Sequence, residues 1–103
     1  MMKGYWIVRV DVADSERFMN YAQLAGPALK LYGARFLARV GPHTVIEGAA
    51  RSRNTVVEFP SYQAALDCWH SPEYQAARQL RLGAAEVDIV VIEGFDGVQP
   101  GQL

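Results

Sequence analysis

Between Phe59 and Ala77 the chain reads FPSYQAALDCWHSPEYQAA, and this stretch leaves few options for the fold around it. Pro60 donates no amide to a β-ladder, so it ends the strand TVVEF. Ser61 follows as an N-cap whose hydroxyl accepts an amide proton from the first helical turn. Tyr62, Ala65, Leu66 and Trp69 recur at i, i+3, i+4 and i+7, one face of a helix. Pro72 disfavours helical geometry at Ser71. Yet Ser71 as N-cap, Pro72 in the first helical position and Glu73 in the first turn together start a second helix. Tyr74, Ala77, Leu80 and Ala84 form its expected apolar stripe, and Gly83 its stop. His70 is thereby set at a corner between two helices.

The flanking segments supply a sheet. Lys3 to Val12 alternates as a strand, with Trp6, Val8, Val10 and Val12 opposite Tyr5, Ile7, Arg9 and Asp11. Asp14 or Ser15 caps a first helix whose buried stripe is Phe18, Tyr21, Ala22, Ala25, Leu29 and Tyr32. Gly26-Pro27 is expected to kink it or split it in two, and Gly33 to end it. Ala34 to Val40 reads as a second strand, with Phe36, Ala38 and Val40 opposite Arg35, Leu37 and Arg39. Thr44 to Glu47 reads as a short strand in a hairpin excursion, and Asn54 to Phe59 as the next main strand. The run VDIVVIE from Val87 to Glu93 is apolar enough to suggest a central place in the sheet.

The order is βα, ββ, αα, β, which is the α+β, ferredoxin-like split βαβ arrangement: an antiparallel sheet with helices on one face. Residues 1–94 form this domain, and 95–103, with two of the chain's glycines and a proline, a mobile tail. The other sheet face mixes Arg9, Arg35 or Arg39 and Glu58 with Ile7, Leu37 and Val56. A half-apolar face is not left bare in water, and its simplest cover is a second copy of the same face, a homodimer.

Composition excludes several function classes. A net charge of -1 provides no basic field for nucleic acid or an anionic membrane surface. No apolar run approaches the roughly 20 residues that span a bilayer, and the charges of Arg9 and Asp11 interrupt the opening run as no signal peptide would. The single cysteine, Cys68, fits a reducing, cytoplasmic setting. Cys68 and His70, two apart on a helix, point away from each other and form no dyad, so Cys68 reads as ordinary packing. His43 and His70 are the only histidines and lack metal-ligand spacing, and GPHTVIEG lacks the context of a phosphate loop.

The segments KGYWIVRVDV, EFPSYQAALDCWHSPEYQAARQL and VDIVVIEG together resemble the domain-of-unknown-function 1330 family over Lys3 to Gly94. Asp67-Cys68 departs from it, standing where members often have small or aromatic residues. That family is similar to the dimeric α/β-barrel superfamily, in which ferredoxin-like subunits pair sheet to sheet. The superfamily holds cofactor-free monooxygenases, dehydratases, isomerases and proteins without known activity. The resemblance thus implies a dimeric α/β barrel and either a cofactor-independent enzyme for a small organic molecule or a non-catalytic binding or structural dimer.

Under the enzyme reading His70 is the candidate acid or base. Its alternative role is to cap the carbonyls at the end of its own helix. Trp69, Tyr74 and Tyr62 line a pocket beside it or are plain core. Tyr5, Arg9, Arg39 and Glu58, on one inferred sheet face, bind a ligand carboxylate or form an ion-pair network across the dimer.

Overall fold

Strand β1 (Gly4–Val12) turns Trp6, Val8 and Val10 to one side of the sheet and Tyr5, Ile7 and Arg9 to the other, as alternation requires. The computed structural model describes residues 2–102. In it β1 is followed by α1 (Ser15–Leu31), β2 (Arg35–Arg39), β3 (Arg53–Phe59), α2 (Tyr62–His70), α3 (Pro72–Arg81) and β4 (Ala85–Glu93). The strands lie in the order β2-β3-β1-β4 with every neighbour antiparallel. This is the expected ferredoxin-like α+β arrangement. Trp6, Val57 and Phe59 from the sheet form one core with Ala25 and Ala28 of α1, Ala65 and Cys68 of α2, and Tyr74 and Ala77 of α3. The helices therefore share one face, and the sheet is open rather than closed.

The helix boundaries follow their signals. The Asp14 carboxylate accepts from the Arg17 amide at 3.1 Å, and the Ser61 hydroxyl from that of Ala64 at 3.0 Å. Gly33, at φ 77°, ends α1: its amide reaches Lys30 O at 3.0 Å and that of Ala34 reaches Leu29 O at 3.1 Å. That paired closure satisfies carbonyls of the last turn and needs a left-handed residue. At the first residue of β1, a Cβ on Gly4 would fall 2.5 Å from the Ser61 carbonyl oxygen, so the strand–helix corner admits only glycine.

Four local expectations are corrected. First, α1 is not split at Gly26-Pro27 but runs unbroken through Pro27. The carbonyl that Pro27 leaves without an amide belongs to Gln23; both residues are exposed, so water satisfies it. Second, Thr44–Glu47 forms no strand. The connection 40–52 is irregular, and with Ile46 89 % exposed nothing lies beside it to pair with. Third, β4 is an edge strand, because β1 already has β3 on its other side. Apolarity on both faces reports what covers the faces, not how many strands flank the edge. Fourth, a bulge between Phe36 and Ala38 pairs Ala38 with Val56 and Arg39 with Thr55. Arg39 thereby moves to the helix side, away from Arg9 and Glu58.

The segment 95–102 is irregular and largely exposed; Met1 and Leu103, at the two ends of the expected domain and tail, lie outside the described residues. The connection 40–52 is pinned at its far end. Arg51 reaches Asp11, Glu86 and Asp88 at 2.8–2.9 Å, and the Ser52 amide donates to Asp11 at 2.8 Å. The Ser52 amide, and then the Arg51 guanidinium, hold the Asp11 carboxyl below its ordinary 3.8 against the opposing effect of desolvation. A carboxyl depressed in the folded state stabilises it above the unfolded value and ceases to do so as pH falls through the folded one. The Ser52 amide resonance should therefore titrate with a midpoint below 3.8. In Arg51→Gln that midpoint should move up, though not fully, since the Ser52 amide remains. An unchanged midpoint would contradict the role given to Arg51.

Candidate functional site

The inward face of α1 carries small residues, Ala22, Ala25 and Gly26, opposite the valines of β1. Small side chains leave space between helix and sheet, and a cavity of about 430 Å³ lies there. Its walls are mainly apolar, with Trp6, Val8, Val10 and Val57 from the sheet and Phe18 from α1. Arg39 lines it as well, its guanidinium stacked 4.2 Å above the Phe36 ring.

Arg53 and Thr55 of β3 line it too, and a connected polar group of three residues stands among these walls. The hydroxyls of Tyr21 and Tyr74 are 2.8 Å apart, and Arg81 Nη2 donates to Tyr74 Oη at 3.2 Å. The Arg81 guanidinium also lies 5.2 Å from the Tyr21 ring centre. Arg81 is 6 % exposed, and its Nε has no hydrogen-bond partner. Among the described residues no carboxylate is within ion-pair distance of it. Burial, then the neighbouring Tyr74, push the Tyr21 phenol well above its ordinary value. Burial opposes the charge on Arg81, but the Tyr74 and Tyr21 oxygens outweigh it and the guanidinium stays above its ordinary value. Around neutral pH the group is thus a buried cation beside a neutral tyrosine hydroxyl.

Arg81, Val87 and Ile89 also wall a second space, a groove of about 330 Å³ on the β4 side. Its other walls are Leu66, Trp69 and His70 of α2, Arg78 of α3 and Val91. The Arg78 guanidinium lies 5.5 Å from the Trp69 ring centre, and the His70 ring meets Trp69 edge-on at 5.1 Å. His70 does not serve as the cap of α2. Ser71 Oγ donates to Cys68 O at 2.6 Å, and Gln75 Nε2 to Trp69 O at 2.6 Å, so those carbonyls are already satisfied. The imidazole is left exposed on the groove wall.

The residues singled out from sequence fall in three places. Tyr74 and Arg39 face the helix-side cavity, while Trp69 and His70 face the groove. Tyr5, Arg9 and Glu58 lie on the open sheet face. There Tyr5 Oη donates to Glu58 Oε2 at 3.2 Å, and Arg35 Nε lies 3.9 Å from Glu58 Oε1. Desolvation, then Glu58, raise the Tyr5 phenol above its ordinary value. Arg9 donates to Ala49 O at 3.0 Å, holding the 40–52 connection rather than facing Glu58. Tyr62 is exposed, and Cys68 takes the inward position of α2 instead. The sequence reading missed Arg81 and Arg78. The signal for Arg81 was present: it stands at i+7 from Tyr74 and i+4 from Ala77, on the buried face of α3.

Cys68 is fully buried, and desolvation, then Glu73, push its thiol up to about 12. The thiolate is the reactive form. At pH 8 the native protein should react with an aromatic disulfide reagent slower than its urea-unfolded form by about a hundredfold or more. Equal rates would show that the α1–α2 contact opens freely.

Among the described residues no group of three or more histidine, cysteine or acidic side chains is placed to hold a metal ion, and no helix is long and apolar enough to cross a membrane. A family model described as "Domain of unknown function (DUF1330)" matches residues 3–95. No curated protein sequence matches the chain. Among solved structures, a protein of unknown function from Rhodopseudomonas palustris is similar with a TM-score of 0.73 at 15 % identity, covering 93 % of this chain and 85 % of its own. SnoaB, a cofactor-independent oxygenase from Streptomyces nogalater, has a TM-score of 0.66 at 8 % identity, with 97 % and 99 % covered. A dimeric protein of unknown function with a ferredoxin-like fold from Bacteroides fragilis has a TM-score of 0.50 at 18 % identity, with 90 % and 95 % covered. At these identities the likeness is one of fold.

Proposed function

The chain belongs to the DUF1330 family, and we propose that it is a homodimeric, cofactor-independent enzyme acting on a small organic molecule held between its helices and its sheet. The observation that carries this reading is the apolar cavity of about 430 Å³ interrupted by Tyr21, Tyr74 and Arg81. The volume falls within the range of small-molecule sites, and a few convergent polar groups on an apolar wall are what orients a ligand. A structural core would use the same residues without leaving the space.

The chemistry follows from the donors. Arg81 donates to Tyr74, and Tyr74 can pass its own proton toward Tyr21, which leaves the Tyr21 hydroxyl hydrogen free to meet a ligand oxygen. Such a chain stabilises negative charge developing on a carbonyl or phenol oxygen in a water-poor space. His70, exposed on the adjoining groove, is the group that would exchange a proton with the ligand. A groove with a histidine and two arginines on its wall favours turnover over a purely structural dimer. The oxygenase activity of SnoaB, on a similar fold, lends support by analogy alone. The dimer itself rests on the half-apolar open sheet face, and the buried thiol of Cys68 suits a reducing cytoplasm.

Native mass spectrometry of freshly purified protein tests the reading. The expected result is a dimer of the 11.4 kDa chain carrying one small organic adduct per subunit. The adduct should be lost from the doubly substituted Tyr21→Phe, Tyr74→Phe protein, which keeps both rings. With the adduct as substrate, His70→Ala should lose turnover at unchanged stability. A protein with no adduct that also binds no aromatic carbonyl compound at millimolar concentration would overturn the assignment.

A further inference from the structure

We propose that the ligand of this site is an organic acid, its carboxylate held by Arg81 with Arg78 at the junction of cavity and groove and its apolar body in the cavity. The inference rests on the small-molecule reading above and adds the charge of the ligand to it. Arg81 is the only buried charged residue among those described, and it is 6 % exposed without an acidic partner. An uncompensated buried guanidinium is costly, and native proteins place a counter-charge against it. Its Nη2 meets only a neutral phenol, while its Nε–H has no acceptor at all. A planar fork of donors with one arm unfilled is the geometry that takes a carboxylate.

The surroundings agree with one negative charge rather than a neutral polar group. The groove side of Arg81 presents Arg78 and His70 and no acidic side chain. Arg78 stacks near Trp69 and makes only a long 3.4 Å contact to Gln75 Oε1, so its remaining donors are free. On the cavity side the Tyr21 hydroxyl adds a neutral donor, and the mainly apolar walls carry Arg39 and Arg53 but no acidic side chain. A carboxylate at Arg81 would satisfy the orphaned Nε–H and neutralise the cation, and its hydrocarbon body would dry the space beneath α1.

The test uses the full chain labelled with nitrogen-15 at arginine. Benzoate, phenylacetate and 1-naphthoate are titrated in parallel with their primary amides, which match them in shape but carry no charge. The expected result is that the acids shift the Arg81 Nε–H resonance and bind about tenfold or more tighter than the amides. Arg81→Met should abolish that preference. Arg78→Gln lies outside the core, so it reports even if the Arg81 variant fails to fold; it should weaken the acids about threefold or more and leave the amides unchanged. Amides binding as tightly as acids, or acids leaving the Arg81 resonance in place, would overturn the carboxylate assignment alone. Binding of neither class would remove the small-molecule reading together with it.

Discussion

Trp6→Ala should lower the free energy of unfolding by about 3–5 kcal/mol, the usual range for truncating a fully packed aromatic side chain to alanine. Trp6 is 2 % exposed and sits on β1, an interior strand. Its ring lies 5.1 Å from Phe59 and 5.0 Å, edge-on, from Tyr74. Its Nε1 donates to Ala65 O at 2.9 Å. One side chain thus ties the sheet to both α2 and α3. Against a total stability of about 5–15 kcal/mol for a domain of this size, the loss approaches unfolding. Trp6→Phe keeps most of the ring volume and removes the indole N–H, and should cost about 1–2 kcal/mol. Urea denaturation followed by circular dichroism measures both. A loss below about 1 kcal/mol for Trp6→Ala would mean that the helices do not depend on this contact. Because Tyr74 rests against the indole, the alanine variant should also lose ligand binding before it unfolds.

How far the sequence reaches is best seen by comparing Ser71 with Arg81. Ser71 was legible because its work is local. Its hydroxyl accepts from the Tyr74 amide at 3.1 Å to start α3 and donates to Cys68 O to finish α2, and both partners lie three residues away. The same locality made Asp14, Ser61 and Gly33 legible. Arg81 was passed over although its spacing set it on the buried face of α3, because an arginine on an apolar stripe reads as a long side chain reaching for water. Only the packing of α1 over α3, which puts Tyr21 beside Tyr74, explains why it stays inside. Arg39 failed for a different reason. Alternation assigns faces only while the register is continuous, and the bulge after Phe36 breaks it without a glycine or proline to announce it. The edge position of β4 was hidden by its composition. Val87, Ile89 and Val91 face the helices while Val90 and Ile92 face outward, so the strand is apolar on both sides.

That outward half of β4 bears on the proposed assembly, and Val90→Lys should convert the proposed dimer to a monomer. The cross-strand register builds rows on the open face. Val56, Ile7 and Val90 form one row across three strands, and Glu58, Tyr5 and Ile92 form the next. The row beyond is polar, with Asn54, Arg9 and Asp88, and Arg51 caps its β4 end. Val90 and Ile92 are 59 % and 52 % exposed in a single chain. An apolar row between polar rows is the layout of an interface with a dry centre and a charged rim. Since Val90 is exposed in the isolated chain, a lysine there costs the subunit's own fold little. In a two-fold pair the lysine enters twice, at the β4 end of the apolar row and without a fixed counter-charge. The dissociation constant should rise by about a hundredfold or more, which multi-angle light scattering at micromolar concentration resolves. Val90→Ala, which only trims the row, should weaken the dimer far less. A lysine variant that stays dimeric would place the interface elsewhere, and a wild-type chain that is already monomeric would leave the Val56–Ile7–Val90 row without the cover its composition calls for.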